Sequence, residues 1–163
     1  FAGKPFVLSP LTQDKSGLRN MIQSTTTESI SQGLPDTSGT NIGDAILSAN
    51  TLLSGATGDH AIILLTDGRA NIGIDPIISA EESRTLANPI YPIAIGSSSG
   101  TLLSYIDGNG IRQYFYDTKH EPLKADIDEE VLQKLASISH GKYLRAGDAL
   151  SFEKGIEEIG KTV

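Results

Sequence analysis

Two short apolar runs constrain the fold of this chain more than any other feature of its sequence. Residues 60–66 read HAIILLT and residues 90–95 read IYPIAI. Near-continuous apolar runs of this kind are typical of strands buried on both faces of a parallel sheet. Asp75-Pro76 between them predicts a helix, because Asp is a good N-cap and Pro suits the first helical position. The alternation of strand and helix therefore predicts an α/β fold with a mostly parallel sheet and helices on both of its faces.

The remaining segments supply further elements of the same kind. Apolar residues at helical spacing predict additional helices over residues 14–22, 42–53, 126–140 and 152–163. Shorter apolar stretches predict a strand end or an edge strand at residues 6–8 and a last strand at residues 142–145. Asp126 and Glu129 form a capping-box-like pair, so the helix over residues 126–140 is expected to begin at Asp126. Gly141 is expected to cap its C-terminal end.

A hairpin is predicted to project from the sheet. Asp107-Gly108-Asn109-Gly110 separates two β-rich runs, residues 102–106 and 111–116, and such a turn is a strong hairpin signal. The hairpin carries three tyrosines, Tyr105, Tyr114 and Tyr116. Exposed tyrosines suit contacts with a partner, and they also pack well across strands, so both interpretations stay open.

Length and composition exclude several classes of protein. The 163 residues are enough for one domain with a sizeable core. The absence of cysteine excludes disulfide frameworks, thiolate zinc sites and cysteine nucleophiles. The net charge of -7 argues against a nucleic-acid partner, because phosphate binding needs a basic face. Neither a P-loop nor a G-x-G-x-x-G motif occurs, so nucleotide binding is unsupported.

The first candidate site combines a threonine and an aspartate from two loops. Thr40 stands just before the predicted helix over residues 42–53, and Asp67 follows the apolar run at residues 60–66. The carboxyl ends of parallel strands are where open α/β sheets bind ligands. A hydroxyl and a carboxylate there can share a Mg²⁺ ion, which prefers oxygen ligands and keeps several waters. Taken singly, Thr40 also suits a helix cap, and Asp67-Gly68 also suits a turn.

In their order along the chain, these blocks resemble the von Willebrand factor A (VWA) domain. The matching blocks are FAG at residues 1–3, PLTQD at 10–14, GTNIGDAI at 39–46, IILLTDG at 62–68, NIG at 71–73 and YPIAIG at 91–96. The resemblance covers nearly the whole chain and is nearest to bacterial membrane-anchored proteins of the aerotolerance type, BatA and BatB. The blocks around Thr40 and Asp67 are its specific parts.

The resemblance implies a Rossmann-like three-layer sandwich that acts as a protein-interaction module rather than an enzyme. VWA domains hold Mg²⁺, Mn²⁺ or Ca²⁺ in a metal-ion-dependent adhesion site, whose open position takes a carboxylate from a partner protein. Thr40 and Asp67 match two of the ligand loops, and Asn41 and Asn71 are expected on the rim. The resemblance also implies a soluble domain of a membrane-anchored bacterial protein, for which a periplasmic position is one option.

The sequence departs from the family at the first metal loop. The family motif Asp-x-Ser-x-Ser does not occur in these residues, and it would lie before Phe1. We therefore expect residues 1–163 to form a single, N-terminally incomplete VWA domain that binds metal weakly or not at all. A sheet without its central strand would leave an open edge beside residues 62–65. Such an edge invites self-association or a substitute strand from residues 1–9.

Two other functions stay open at the level of sequence. Gly96-Ser97-Ser98-Ser99-Gly100 matches the nucleophile elbow of serine hydrolases, with Ser98 as the nucleophile. Asp117 or Asp126 and then His140 follow in the order of that triad. The elbow needs a helix after its turn, however, and residues 101–106 predict a strand. The other alternative is a structural remnant that folds but binds no metal.

Two polar features carry no site on sequence grounds. The acidic run at residues 126–130 lacks EF-hand spacing, and the dipole of a helix start accounts for its charge. The three histidines, His60, His120 and His140, form no ligand pair at helical spacing.

Overall fold

The computed structural model describes residues 1–26, 38–95 and 101–162, and within them helices alternate with strands. The helices of this part are α1 Lys15–Ser24, α2 Ile42–Leu53, α3 Pro76–Thr85, α4 Glu129–Ser139 and α5 Ala149–Thr162. The strands are β1 Ile62–Thr66, β2 Ile90–Ile95, β3 Thr101–Leu102, β4 Ser104–Ile106, β5 Arg112–Tyr114, β6 Lys124–Ala125 and β7 Leu144–Ala146.

The central sheet is parallel and has the strand order β1-β2-β7 in the described residues. Ile62 of β1 lies opposite Ile90 of β2, and Ile93 of β2 lies opposite Leu144 of β7. Helices connect the strands and flank the sheet, so the predicted α/β, Rossmann-like fold is confirmed. The carboxyl ends of β1 and β2 point to one edge, and the loops that follow them lie there.

Two apolar clusters hold the layers together. On one face of the sheet, helices α2, α3 and α4 cover side chains of β1 and β2, and the fully buried members include Ile42, Ile46, Ile90, Leu132 and Leu135. On the other face, α5 covers Tyr91 and Ile93 of β2 and Ala146 of β7 through Ile159. Burial of such side chains is the main favourable term in folding, at about 25 cal/mol per Å² of apolar surface.

The prediction that both apolar runs are buried on both faces is wrong for β1. Ile63 is 43% exposed and Leu65 is 44% exposed, whereas Ile62 and Leu64 on the opposite face are buried. The physical reason is the position of α5, which packs beside β7 and β2 rather than β1. In the described residues, one face of β1 therefore has no covering helix.

The N-terminal segment also differs from the prediction. Residues 6–8 form no strand, and their three apolar side chains are exposed. No strand in the described residues pairs with the outer edge of β1, so the substitute strand predicted from residues 1–9 is not found. Within this segment Ala2 and Gly3 are buried, and their carbonyl groups accept hydrogen bonds from Asn41. Helix α1 is capped by Asp14 and buries none of its residues.

Some predicted boundaries move by one to three residues. Asp128, not Asp126, is the N-cap of α4, since its carboxylate accepts the backbone N–H of Val131. At the other end of α4, His140 is the C-cap in the left-handed conformation, and the Gly141 backbone N–H donates to the Ala136 carbonyl. The last strand, β7, begins two residues later than predicted and ends at Ala146.

The predicted hairpin is confirmed. Strands β4 and β5 are antiparallel, and the Asp107 carboxylate closes the turn between them by accepting the backbone N–H groups of Asn109 and Ile111. The side chain of Gln113 donates to the same carboxylate at 3.0 Å. These hydrogen bonds, chiefly the one from Gln113, lower the pKa of Asp107. Strands β3 and β6 pair below the hairpin and join it to the rest of the chain.

No helix in the described residues combines the length and the apolar character needed to cross a membrane.

Candidate functional site

Asn41 ties three chain segments together at the carboxyl edge of the sheet. As the N-cap of α2, its Oδ1 accepts the backbone N–H of Asp44 at 3.0 Å. Its Nδ2 donates to the Asp44 carboxylate at 2.7 Å and to the Gly3 carbonyl at 3.1 Å. Its backbone N–H donates to the Ala2 carbonyl at 2.9 Å. Asn41 was expected on the rim. It is 3% exposed, however, so its side chain is buried beneath the edge.

Thr40 and Asn71 clamp the two candidate loops to each other. The backbone N–H of Thr40 donates to Asn71 Oδ1 at 2.8 Å, and the backbone N–H of Asn71 donates to the Thr40 carbonyl at 3.1 Å. Because Asn41 is the residue that caps α2, the hydroxyl of Thr40 is not used as the cap. Asn71 is exposed, as expected for a rim residue.

Two glycines allow these loops to approach each other closely. A Cβ at Gly43 would overlap the carbonyl oxygen of Ile74, and a Cβ at Gly73 would overlap the side chain of Asn41. Gly73 also has a φ of +85°, a conformation that favours glycine. In addition, the backbone N–H of Ile74 donates to the Asp44 carboxylate at 3.3 Å. The GTNIGD and NIG blocks of the sequence therefore interlock.

Asp67 follows β1 and is joined to the start of α4. Its Oδ1 accepts the backbone N–H of Arg69 at 3.0 Å, and its carbonyl accepts the backbone N–H of Asp128 at 2.8 Å. A Cβ at Gly68 would lie 2.6 Å from the Asp128 carbonyl oxygen, so glycine is needed for this approach as well. The side chain of Arg69 donates through Nε to the Asp126 carbonyl at 2.9 Å. The loops that carry Thr40, Asp67 and Asn71 are called the polar edge below.

Two open grooves flank the polar edge. One, of about 540 Å³, is lined by Arg69, Ala70, Asn71, Asp126, Ile127 and Asp128. The other, of about 400 Å³, runs from Gly68 along residues 70–77 to Asp128 and Val131. Both grooves share Asn71 and Asp128, and because they are open and only partly polar, they suit contacts with a protein segment better than an enclosed small molecule.

The donors at the polar edge do not amount to a complete metal site. Thr40 and Asp67 offer one hydroxyl and one carboxylate, and one oxygen of that carboxylate already accepts the Arg69 N–H. Mg²⁺ needs six oxygen ligands in near-ideal octahedral geometry. In the part of the chain that the structure describes, no group of three or more His, Cys, Asp or Glu side chains could hold a metal ion. The two side chains could thus supply at most part of the ligand set of a Mg²⁺ ion.

Those hydrolase candidates that lie in the described residues form part of local turns and helix ends. Ser98 and its loop lie outside the described residues. The element after that loop is strand β3, as predicted, and not the helix that a nucleophile elbow needs. Asp117 accepts the backbone N–H groups of Lys119 and Glu121 in a tight turn, and His140 ends α4.

The acidic run at residues 126–130 behaves as a helix start. Asp128 caps α4, while Glu130 pairs with Lys134 at 2.7 Å and Glu129 pairs with Arg145 at 2.6 Å. The ion pair lowers the pKa of Glu130 and raises that of Lys134, chiefly through the hydrogen bond between them.

The hairpin tyrosines remain open to both interpretations. Tyr105, Tyr114 and Tyr116 are exposed. Tyr105 also stacks at a tilted angle on Phe115, with ring centroids 4.9 Å apart, which is the cross-strand packing that the sequence allowed.

Sequence reasoning missed two supports of the polar edge. The first is the pair of hydrogen bonds from Asn41 to Ala2 and Gly3, for which the only sequence signal was the FAG block of the family pattern. The second is the hydrogen bond from Arg69 to the Asp126 carbonyl. The two residues are 57 positions apart, so no local sequence pattern predicts it.

Comparison with known proteins supports the fold and the resemblance to BatA/BatB-like proteins. No family model and no curated protein matches the sequence. Among solved structures, the conserved hypothetical protein BatB from Bacteroides thetaiotaomicron is similar with a TM-score of 0.80 and 26% identity, over 99% of this chain and 75% of that one. An aerotolerance-related membrane protein from Bacteroides fragilis, carrying multiple mutations to serine, is similar with a TM-score of 0.78 and 24% identity, over 97% of this chain and 74% of that one. The predicted resemblance to BatA/BatB-like proteins is thus supported, while the VWA assignment and the incomplete N-terminus stay predictions.

Proposed function

We propose that this chain is a protein-interaction module of the VWA type and that its partner binds at the polar edge. The observation that carries the proposal is the interlocking of the two candidate loops. Thr40 and Asn71 exchange two hydrogen bonds, and Asn41 ties α2 to the N-terminal segment. Binding to a surface that is already ordered loses less conformational entropy, which favours affinity.

The context of the module follows from its structural neighbours. The likeness to BatB and to the aerotolerance-related membrane protein of Bacteroides fragilis supports a place among membrane-associated proteins of the aerotolerance type. In such a protein, this domain would present the polar edge to another protein of the same assembly. The partner is expected to offer a carboxylate, as partners of VWA adhesion sites do.

A metal ion contributes weakly or not at all in this chain. Thr40 and Asp67 are two donors of an octahedral set, and the resemblance assigns the others to a loop that these residues lack. Calorimetric titration with MgCl₂ and MnCl₂ is expected to give no binding in the micromolar range. Micromolar affinity that disappears in Asp67→Ala would refute this part of the proposal.

The interaction itself can be tested by capture from a bacterial envelope fraction with the immobilised chain. The test variant is the double substitution Thr40→Ala and Asp67→Ala, which removes both candidate side chains but leaves the backbone clamp to Asn71 in place. The matched control is Asp59→Ala, an exposed carboxylate before β1, at the opposite end of the strand from Asp67. A protein captured by the wild type and the control but lost from the double variant supports the proposal. Equal capture by all three proteins would mean that the partner binds away from the polar edge and would refute the proposal, whereas no capture by any of them favours the structural remnant.

The hydrolase alternative has its own measurement. A fluorophosphonate probe that labels Ser98 in the folded protein would favour a serine nucleophile. We expect no labelling, because a strand rather than a helix follows that loop.

A further inference from the structure

A chain of polar side chains crosses the interior at the end of the sheet opposite the polar edge. Asn50 of α2 and Ser83 of α3 are buried and hydrogen-bonded to each other, with Asn50 Nδ2 2.9 Å from Ser83 Oγ and Asn50 Oδ1 3.1 Å from it. Asn88, buried just before β2, places Nδ2 2.9 Å from Asn50 Oδ1. The chain ends at His60, whose Nε2 lies 2.7 Å from Asn88 Oδ1. We call these four residues the His60 network.

The ring of His60 is held at both nitrogens. Its Nδ1 lies 2.9 Å from the carbonyl oxygen of Gly58, while Nε2 faces the oxygen of Asn88. A backbone carbonyl can only accept, so Nδ1 must carry a proton. With the oxygen of Asn88 toward the ring, Nε2 must carry a proton as well. This arrangement therefore suits the doubly protonated, positively charged ring.

A neutral ring with the same Nδ1–H bond needs the network reversed. Nε2 then becomes an acceptor and requires the NH₂ group of Asn88 in place of its oxygen. The oxygen of Asn88 then faces Asn50, which must also turn its NH₂ group toward Asn88. In that position, the oxygen of Asn50 accepts the hydroxyl proton of Ser83. Every donor again meets an acceptor, because a carboxamide occupies nearly the same volume in its two orientations.

The other neutral tautomer is disfavoured by the same contacts. A proton on Nε2 alone would leave the lone pair of Nδ1 facing the Gly58 carbonyl at 2.9 Å. Two hydrogen-bond acceptors at this distance repel each other, so this tautomer loses the contact at Nδ1. The His60 network thus has two satisfied arrangements, one for the charged ring and one for the neutral ring.

We propose that protonation of His60 reverses the carboxamides of Asn88 and Asn50, so that the His60 network is a pH-dependent switch between two hydrogen-bond arrangements. The network joins α2, α3 and the segments that lead into β1 and β2. A change in its hydrogen bonds therefore changes the contacts between α2 and α3. Asn50 lies near the end of the helix whose first turn is capped by Asn41 at the polar edge.

Other titratable and charged groups border the ring. Asp59 and Tyr91 line the groove of about 440 Å³ on which His60 opens, together with Thr162 at the end of α5. Arg84 lies in the last turn of α3, and Lys161 lies in the last turn of α5. Between about pH 5 and pH 8, histidine is the side chain that ordinarily changes charge.

The switch can be tested by NMR on the wild-type chain. The pH is varied across the titration of the His60 ring while the ring ¹⁵N shifts and the side-chain amide shifts of Asn88 and Asn50 are recorded. We expect both amide groups to shift with the midpoint of the His60 ring, and the neutral ring to carry its proton on Nδ1. The proposal would be overturned if the amide shifts did not change at the midpoint of the His60 ring, or if the neutral ring carried its proton on Nε2.

Two variants sharpen the test. His60→Gln should abolish the pH response of both amides, and far-UV circular dichroism verifies that it folds. His120→Asn is the matched control, because His120 is exposed, lies in the hairpin region and has a φ of +62° that Asn tolerates. The control should keep the wild-type response. Loss of the response in the control, or its persistence in folded His60→Gln, counts against the switch, and the wild-type titration remains decisive if His60→Gln fails to fold.

Discussion

Replacing Asn41 by alanine removes the side chain that joins the N-terminal segment, α2 and the polar edge. The loss of the N-cap hydrogen bond to the Asp44 N–H costs about 1 kcal/mol. The buried Gly3 carbonyl also loses its donor, which costs about 1 to 3 kcal/mol for an unsatisfied buried group. We therefore expect Asn41→Ala to lower the free energy of unfolding by about 2 to 4 kcal/mol.

Urea unfolding followed by circular dichroism measures this loss. With a denaturant slope of about 2 kcal/mol per M, the midpoint should fall by about 1 to 2 M at unchanged slope. Asn109→Ala is the matched control, because Asn109 is exposed in the hairpin turn and contributes only its backbone N–H there. It should stay within about 0.5 kcal/mol of the wild type. The reasoning is refuted if Asn41→Ala is as stable as the control.

Three further predictions concern the core, a close approach and pH. Leu135→Ala removes a fully buried side chain of α4 and should lower the free energy of unfolding by about 2 to 5 kcal/mol in the same assay. Gly141→Ala forces a Cβ into the Ile90 carbonyl and should cost at least about 2 kcal/mol; a neutral result would mean that the backbone yields easily. The pKa of Asp107 is lowered, chiefly by Gln113, so its contribution to the hairpin is full above the ordinary range of an aspartate and is lost as the pH falls through the lower folded value. Amide shifts of the turn should report this loss on acidification, and Asp107→Asn should remove the titration.

The regular elements could be predicted because local pattern and tertiary packing agree in them. The apolar stripe of α2 predicts Ile42–Leu53, the bounds that the structure has, because the stripe is also the buried face. The run of β2 is buried along nearly its whole length, as a parallel central strand should be. The Asp107 turn was predictable because its chemistry is contained in four neighbouring residues.

The exposure of β1 and the N-terminal segment could not be predicted, since both depend on distant elements. The sequence of β1 is as apolar as that of β2, yet Ile63 and Leu65 are exposed because α5 packs beside the other strands. Residues 6–8 have strand-like composition, but a strand forms only where a neighbour supplies its hydrogen bonds.

The candidate site was predictable in its residues but not in their roles. Thr40, Asp67 and Asn71 lie on adjoining loops, in keeping with the pattern of the resemblance. Asn41 was expected to line the rim, but its side-chain amide donates hydrogen bonds to Gly3 and Asp44 instead. The His60 network also escaped prediction, because its members are up to 38 residues apart and meet only in the folded chain.

The most direct test of the central claim is site-specific photo-crosslinking in the bacterial envelope. A photoreactive amino acid replaces Ile72, an exposed residue in a groove beside the polar edge, or Thr57, an exposed residue before β1 at the opposite end of the sheet. If a partner binds at the polar edge, position 72 yields a discrete protein adduct and position 57 yields none. Adducts at position 57 with none at position 72 would contradict the account.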